Sequence, residues 1–373
     1  MRARDARRLH RELVDQLVGS GAITDPRVEE AFRAVPRQVF LPGVPAERAY
    51  ADEAIVTRRD AQGRPISSSS QPTIMALMLG QLGVRPGHRV LEVGAGTGYH
   101  AALLARLALH DGRVTTVDLD REITAEAQRR LRDAGVRGVR VRTGDGWDGW
   151  PADAPFDRVI ATVGVDDVAP AWAAQLAPGG RIVAPLWLRG GFQITVALEP
   201  RDDCLVAASV LGCGFMRLRG PHAGLAAYVD ARGWTVSVDD GEAEAARALD
   251  AALAGGLREE PVARPPQRWE LRLLLDEPDA VAAFPRGATR SLPALLTSDP
   301  AGFAVVDGAT LRSAGAPEVA ARLRAAAARA APLTVDRLRL RGAPHADPAP
   351  ATRWVLVRRD HVLLLDEPEA EHQ

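Results

Sequence analysis

The sequence predicts an α/β protein: a doubly wound, mostly parallel sheet preceded by a helical segment and followed by a separate α+β domain. Three observations carry that expectation. From residue 89 onward, short β-branched runs alternate with helical stretches, as in R-V-L-E-V at 89–93, V-T-T-V at 114–117 and D-R-V-I-A at 157–161. Such alternation argues parallel strands joined by crossover helices. The first strand runs straight into L-E-V-G-A-G-T-G at 91–98, a glycine-rich strand-to-helix turn. After about residue 220 the pattern shifts to further apolar runs accompanied by alanine-rich stretches at 242–255 and 317–331.

Each element has its own signal. R-E-L-V-D-Q-L-V-G-S-G at 11–21 has helical apolar spacing and ends on Gly19 and Gly21; P-R-V-E-E-A-F-R-A-V-P at 26–36 opens and closes on proline. In the alternating part, helices are expected over 98–108 and 121–133, and further strands at 139–142 and 181–185. F-Q-I-T-V-A-L at 192–198 and C-L-V-A-A-S-V-L at 204–211 read as a closing antiparallel hairpin. Beyond them, 268–275, 302–311, 333–340 and 354–365 suggest strands, while the prolines of 260–267 imply a loop. The expected divisions are 1–85 for the helical segment, 86–218 for the sheet core and 225–373 for the extension, joined by a Gly/Pro stretch near 219–224. Trp234, Trp269 and Trp354 are read as core of the extension, with the lining of a peptide groove as the alternative.

Composition narrows the function. A chain of 373 residues, 46% hydrophobic and 25% charged, with net charge −1, has no uniform basic field for nucleic acid or anionic lipid. No apolar run reaches membrane-spanning length and the charged start is unlike a signal peptide, so a cytoplasmic protein without nucleic-acid or membrane partners is expected. Cys204 and Cys213 are too few for a disulfide framework or a four-thiolate zinc site, and no metal is expected. The chain contains no Lys and no Asn, so every cation other than His is Arg.

The glycine loop suggests a nucleotide-type ligand. Gly94, Gly96 and Gly98 let the backbone turn tightly and approach a ligand, while N–H groups of the following helix face it. The spacing is G-x-G-x-G, not the dinucleotide fingerprint. Asp118 closes the next strand where an acid meets ribose hydroxyls, and Gly144-Asp145-Gly146 follows the third strand, where a carboxylate can accept from an adenine amino group. Glu92, directly before the loop, either orients the ligand or caps exposed backbone. His100, in the first turn of the next helix, reads as packing or surface.

Together these residues resemble the protein-L-isoaspartate O-methyltransferase family of class I S-adenosylmethionine-dependent methyltransferases. The resemblance covers about residues 10–215 and includes V-E-E-A-F-R-A-V-P-R-Q-V-F-L-P at 28–42, A-Y-A-D at 49–52, I-S-S-S-S-Q-P at 66–72, G-D-G-W at 144–147 and Q-L-A-P-G-G-R-I-V-A-P at 175–185. It implies a Rossmann-like sheet and S-adenosyl-L-methionine as cofactor, with S-adenosyl-L-homocysteine as product. Glu92, Gly94, Gly96, Gly98, Asp118, Asp145 and Gly146 are then the cofactor residues. Ser70-Gln71-Pro72 matches the family's Ser-x-Pro motif, whose serine faces the substrate carboxylate and the cofactor's methyl group. Ser70 is thus the catalytic candidate, and Ser69, Gln71, Pro72, Thr162, Val163 and Gly164 the substrate-side candidates. The bland alternative is that Ser69 or Ser70 caps the helix that follows.

The resemblance implies a peptide or protein substrate bearing aspartate or isoaspartate, esterified on a carboxylate that is already ionised at neutral pH. The resulting methyl ester is then closed to a succinimide by the next backbone nitrogen. Roughly 150 residues follow the point where repair enzymes of the family end, and T-V-G-V at 162–165 departs from the small residues usual there. The overall plan resembles the C-terminally extended relatives that modify a chosen aspartate in ribosomally made peptides, which is the favoured expectation. Repair of isoaspartyl protein is the alternative, and a non-catalytic cofactor- and peptide-binding module is the reading of another class.

Overall fold

The computed structural model describes residues 3–109, 111–224, 227–288, 290–344 and 353–366. Two helices, Ala3–Gly19 and Pro26–Ala34, open the chain, the second capped by Asp25, which accepts from the amide of Arg27 at 2.9 Å. An antiparallel hairpin, Ile55–Arg59 with Pro65–Ser69, then leads into helix Pro72–Leu82, which Gly83 ends at φ +61°. Arg58 ties the hairpin down by ion pairs to Glu122 and Glu126 of helix Arg121–Asp133.

Ten strands form the main sheet. Its parallel part runs, in spatial order, Leu176–Trp187, Phe156–Ala161, Arg89–Val93, Arg113–Asp118 and Val139–Thr143. Two neighbouring parallel strands end at the glycine loop and at Asp118, so the ligand-facing groups collect along the carboxyl edge of the sheet. Gln193–Arg201 and Cys204–Gly212 extend the sheet as the expected antiparallel hairpin. On one face pack the N-terminal helices with Pro72–Leu82 and Tyr99–Ala108. On the other lie Trp147 and Trp172 with Leu271, Leu333 and Trp354, so the extension shares a core with the sheet.

The second domain holds a seven-stranded antiparallel sheet between Ala227 and Gly315, with helices Glu242–Leu253 and Pro317–Arg329 packed against it. Trp234, Trp269 and Trp354 are all buried. Two expectations are corrected here. Residues 268–275 are not a strand: Glu270–Asp276 is a helix, since an unbroken apolar run fits a buried helix as well as a strand. The extension is also not one separate unit over 225–373, because Arg339–Pro344, His361–Asp366 and Trp354–Val357 return to the main sheet beside Cys204–Gly212. Residues 262–267 of the proline-rich stretch stay outside regular structure, but its first two residues belong to the edge strand Arg258–Pro261.

The return is fastened by buried polar groups. Asp167, 2% exposed, accepts from the amides of Asp360 and His361 at 2.7 and 3.1 Å and from Nδ1 of His361 at 2.9 Å. Arg358 donates to the carbonyls of Trp187 and Leu188 at 3.0 and 3.2 Å. The hydrogen bond to Asp167 raises the His361 pKa above its ordinary value, against the opposing effect of burial. A raised histidine pKa adds stability that is complete below about pH 6.5 and is lost as pH rises through the folded value. The melting temperature of His361→Gln should therefore fall furthest below wild type near about pH 5.5, with the gap narrowing toward about pH 8.5. A gap independent of pH would show that charge on His361 contributes nothing.

Candidate active site

Strand alternation explains the serine run. In Pro65–Ser69 successive side chains point to opposite faces, so Ser67 and Ser69 are buried while Ser68, and Ser70 beyond the strand, are more open; Ser67, Ser68 and Ser70 all border a cavity of about 600 Å³. Ser67 accepts from the hydroxyl of Thr57 at 3.2 Å. Ser69, 3% exposed, accepts from Nε of Arg37 at 3.3 Å and borders only a recess of about 30 Å³ behind the glycine loop. Ser69 thus does not face the main cavity, and Ser68, which the sequence reading passed over, does.

Arg37 holds this arrangement. It is fully buried without a carboxylate partner, and its Nη atoms donate to the carbonyls of Ala49, Ala51, Glu53, Ser69 and Ser70 at 2.9 to 3.3 Å. Burial lowers its pKa from the ordinary arginine value. Neither Ser69 nor Ser70 caps the next helix. Asp52 does, accepting from the amide and hydroxyl of Thr73 at 2.8 and 2.7 Å and from Nε2 of Gln71 at 3.1 Å. Gln71 and Thr73 line the cavity, whereas Pro72 is buried in the first helical turn, where it shapes the backbone.

The loop itself divides two cavities. Gly94 has φ +101°, and a Cβ there would lie 2.5 Å from Oγ1 of Thr162. Thr162 in turn donates to the carbonyl of Gly94 at 2.9 Å. Gly94, Asp118, Val163 and Met216 border both the serine-lined cavity and a second cavity of about 680 Å³ that holds Asp145, Gly146 and Leu119. Gly96 borders the serine side and donates its amide to Oδ2 of Asp118 at 3.2 Å, while the amide of Asp120 donates to Oδ1 at 3.2 Å. Burial pushes the Asp118 carboxyl above the ordinary range, opposed by those amides and by Arg219, 3.7 Å away.

Three other expectations take a different form. Glu92 is fully buried and has both oxygens engaged: His100 Nδ1 donates to one at 2.6 Å and Thr116 Oγ1 to the other at 2.5 Å. It locks the loop's strand to its neighbours instead of lining either cavity, and His100 is its partner. Gly98 caps the following helix and packs on Leu131 and Ala127, away from the cavities. Gly164 lies beneath the site, where a Cβ would collide with Gln193 and Trp187.

The linker brings groups that the sequence reading missed. His222 stacks on Trp147 with ring centroids 5.0 Å apart, and its Nδ1 donates to Asp145 at 3.3 Å. Arg217, Arg219, Tyr228 and Glu242 also border the Asp145 side, and Cys213 and Phe215 the serine side. Burial raises the Cys213 thiol pKa, which keeps it protonated. Among the described residues, no cluster of His, Cys, Asp and Glu is arranged to hold a metal ion, and no helix is long and apolar enough to cross a membrane.

A family model described as Protein-L-isoaspartate(D-aspartate) O-methyltransferase (PCMT) matches residues 7–221. The chain belongs to this family. A protein-L-isoaspartate O-methyltransferase of Methanopyrus kandleri is 40% identical over 215 residues, 57% of this chain and 92% of that protein. Its namesake from Thermotoga maritima is 39% identical over 195 residues, 52% of this chain but 61% of the relative, so that protein too has length outside the match. A solved protein-L-isoaspartate O-methyltransferase structure aligns with TM-score 0.55 and 27% identity over 89% of this chain and 96% of the other. The protein is a class I, S-adenosyl-L-methionine-dependent protein carboxyl O-methyltransferase, which sets aside the non-catalytic module.

Two outcomes test the site. Arg37→Lys cannot reach all five carbonyls, and displacement of Ser68 and Ser70 by about 1 Å should lower kcat by roughly 10- to 100-fold. Calorimetry should find S-adenosyl-L-homocysteine affinity unchanged within about twofold, because Arg37 lies outside the Asp118 compartment. Protonating Asp118 removes acceptors, so affinity for the same ligand should weaken with falling pH, beginning above the ordinary carboxylate midpoint of about 4. Asp118→Asn should weaken binding throughout and flatten that profile.

Proposed function

We propose that the chain esterifies the free carboxylate of an L-isoaspartyl residue in a peptide or protein, held beside Ser70 while the cofactor occupies the Asp118–Asp145 cavity. The observation that carries this reading is the junction at Gly94, where a serine-lined cavity and an acid-lined one communicate. The donor set fits the cofactor. Asp118 uses one lone pair on each oxygen for the amides of Gly96 and Asp120, leaving about two sites for ribose hydroxyls. Asp145 accepts from the amide of Trp147 at 2.9 Å and retains capacity for an adenine amino group.

When bound, S-adenosyl-L-methionine supplies an electrophilic methyl group on a sulfonium. The protein's own task is positional, since the substrate carboxylate is ionised at neutral pH and needs no general base. Ser70 and Ser68 donate hydroxyls that can fix one carboxylate oxygen and leave the other free to attack. Val163, Ile66 and Met216 exclude water around that path. Arg37, although cationic, is turned to backbone carbonyls and does not blunt the nucleophile. Thr162 and Val163 border the junction, and Gln71 borders the serine side, consistent with substrate-side roles.

The favoured expectation from sequence, a chosen aspartate in a ribosomally made peptide, rested on the C-terminal extension. That argument loses its force, because the solved isoaspartate methyltransferase matches 89% of the chain, more than residues 7–221 contain. Isoaspartyl substrate is accordingly the better-supported reading.

Purified protein with labelled S-adenosyl-L-methionine should transfer methyl to an isoaspartyl peptide and not to its ordinary aspartyl counterpart. Ser70→Ala should lower kcat by about 10- to 100-fold while leaving S-adenosyl-L-homocysteine binding intact. Methylation confined to an aspartyl residue of a constrained peptide would overturn this reading and reinstate the tailoring one.

A further inference from the structure

Beyond the serine-lined cavity lies a second depression that the methyl-transfer reaction does not use. Its volume is about 550 Å³, and it sits where the main sheet meets the second domain, lined by Phe192, Leu271, Leu274, Leu292 and Leu333. Two guanidinium groups, those of Arg268 and Arg290, stand on its rim, and both residues are exposed. Neither carries a side-chain hydrogen bond or ion pair among the described residues. Arg268 is held in a left-handed conformation, φ +62°, with its carbonyl accepting from the amide of Leu333 at 3.1 Å. A non-glycine residue is strained in that region, so its direction is imposed by the surrounding chain.

The depression and the serine-lined cavity meet at one residue. Gly212 borders both, and from there the chain runs through Cys213 and Gly214 along the wall of the serine cavity. Gly212 and Gly214 are exposed, and a Cβ on either would meet nothing within 4 Å. The chain between the two hollows is therefore open at both glycines, with only the Cys213 side chain between them. A polypeptide substrate continues on both sides of its reacting residue, and each extended residue advances it by about 3.3 Å.

We propose that this depression is a subsite for the residues flanking the methylated one. An apolar side chain enters between Leu271, Leu274 and Leu292, and a neighbouring carboxylate meets Arg268 and Arg290. The inference rests on the reading that a peptide carboxylate is the substrate, and it adds a sequence preference for an apolar residue next to an acidic one.

The test uses the full-length protein and isoaspartyl peptides of about a dozen residues, glycine- and serine-rich, in which a Leu-Glu pair is walked along either side of the isoaspartate. At one position KM should fall roughly tenfold with kcat unchanged, the size expected for one buried apolar group with a charge-assisted contact. Arg268→Glu and Arg290→Glu should each reduce that preference, and replacing the pair by Leu-Lys should restore it on the reversed variants. Activity on the background peptide should stay within about twofold. A preference absent at every position, or surviving both reversals, overturns the subsite. So does a change in sedimentation behaviour on charge reversal without any change in peptide preference, which would mark the surface as a contact between copies of the chain. If no background peptide is esterified, the proposed substrate fails on its own account. Fluorescence anisotropy of the labelled Leu-Glu peptide, with S-adenosyl-L-homocysteine present, then still decides the subsite: binding lost on Arg290→Glu supports it, and unchanged or absent binding overturns it.

Discussion

Methyl transfer between two bound molecules needs a point at which their cavities touch, and here that point is a position where no side chain fits. Gly94 leaves its strand at φ +101°, and a Cβ would be driven into the hydroxyl of Thr162 from the neighbouring strand. The neighbour belongs at that distance because the two strands pair in parallel register, Val93 opposite Ala161. Glu92, one residue earlier, fixes the register of the loop by binding His100 ahead of it and Thr116 beside it. The opening is therefore a property of the sheet, set by three adjacent elements and closed by any added side chain.

The substrate side depends on a different device. The four Nη–H donors of one buried guanidinium are shared among five backbone carbonyls from two segments, residues 49–53 and 69–70, while its Nε–H goes to the Ser69 hydroxyl. A carboxylate partner would have neutralised the charge but would have fixed a single point. Carbonyl acceptors instead define a surface, and leaving one unpaired costs about 1–3 kcal/mol. The hairpin strand then converts that anchorage into direction: with Ser69 turned toward Arg37, alternation turns Ser68 toward the cavity. A one-residue slip in this strand would exchange the two sets of hydroxyls.

The placement of single residues was legible in the sequence and pairing was not. Gly94, Asp118 and Asp145 could be placed beside a cavity because a strand, a turn and an acid follow one another within a few residues. Ser70 could be placed there because its motif is contiguous with the helix start. Ser68 escaped because Pro65–Ser69 is short and polar, with no apolar alternation to announce a strand. Residues 268–275 escaped because an apolar run has no period. The main sheet claimed the strands after 339 through Asp167, almost two hundred residues earlier, and nothing local at either position encodes that hydrogen bond. Arg37 and Asp52 fell within stretches recognised as family-like, yet their roles depend on carbonyls and amides that composition cannot locate.

The extension is also packed against the cavity of Asp118 and Asp145. Its linker brings Arg219 to 3.7 Å from Asp118 and His222 to 3.3 Å from Asp145, so each of these acids faces a basic side chain from the same short segment. The two contacts differ in kind. At 3.7 Å Arg219 lies beyond hydrogen-bond range, so it offsets charge on a desolvated carboxylate without using its lone pairs. His222 does use one, and its ring lies flat against Trp147, with interplanar angle 6°. Gly220 lets the segment pass close over Leu119 and Asp145, at φ +99°. The segment is thus packed against both acids before it enters the second domain.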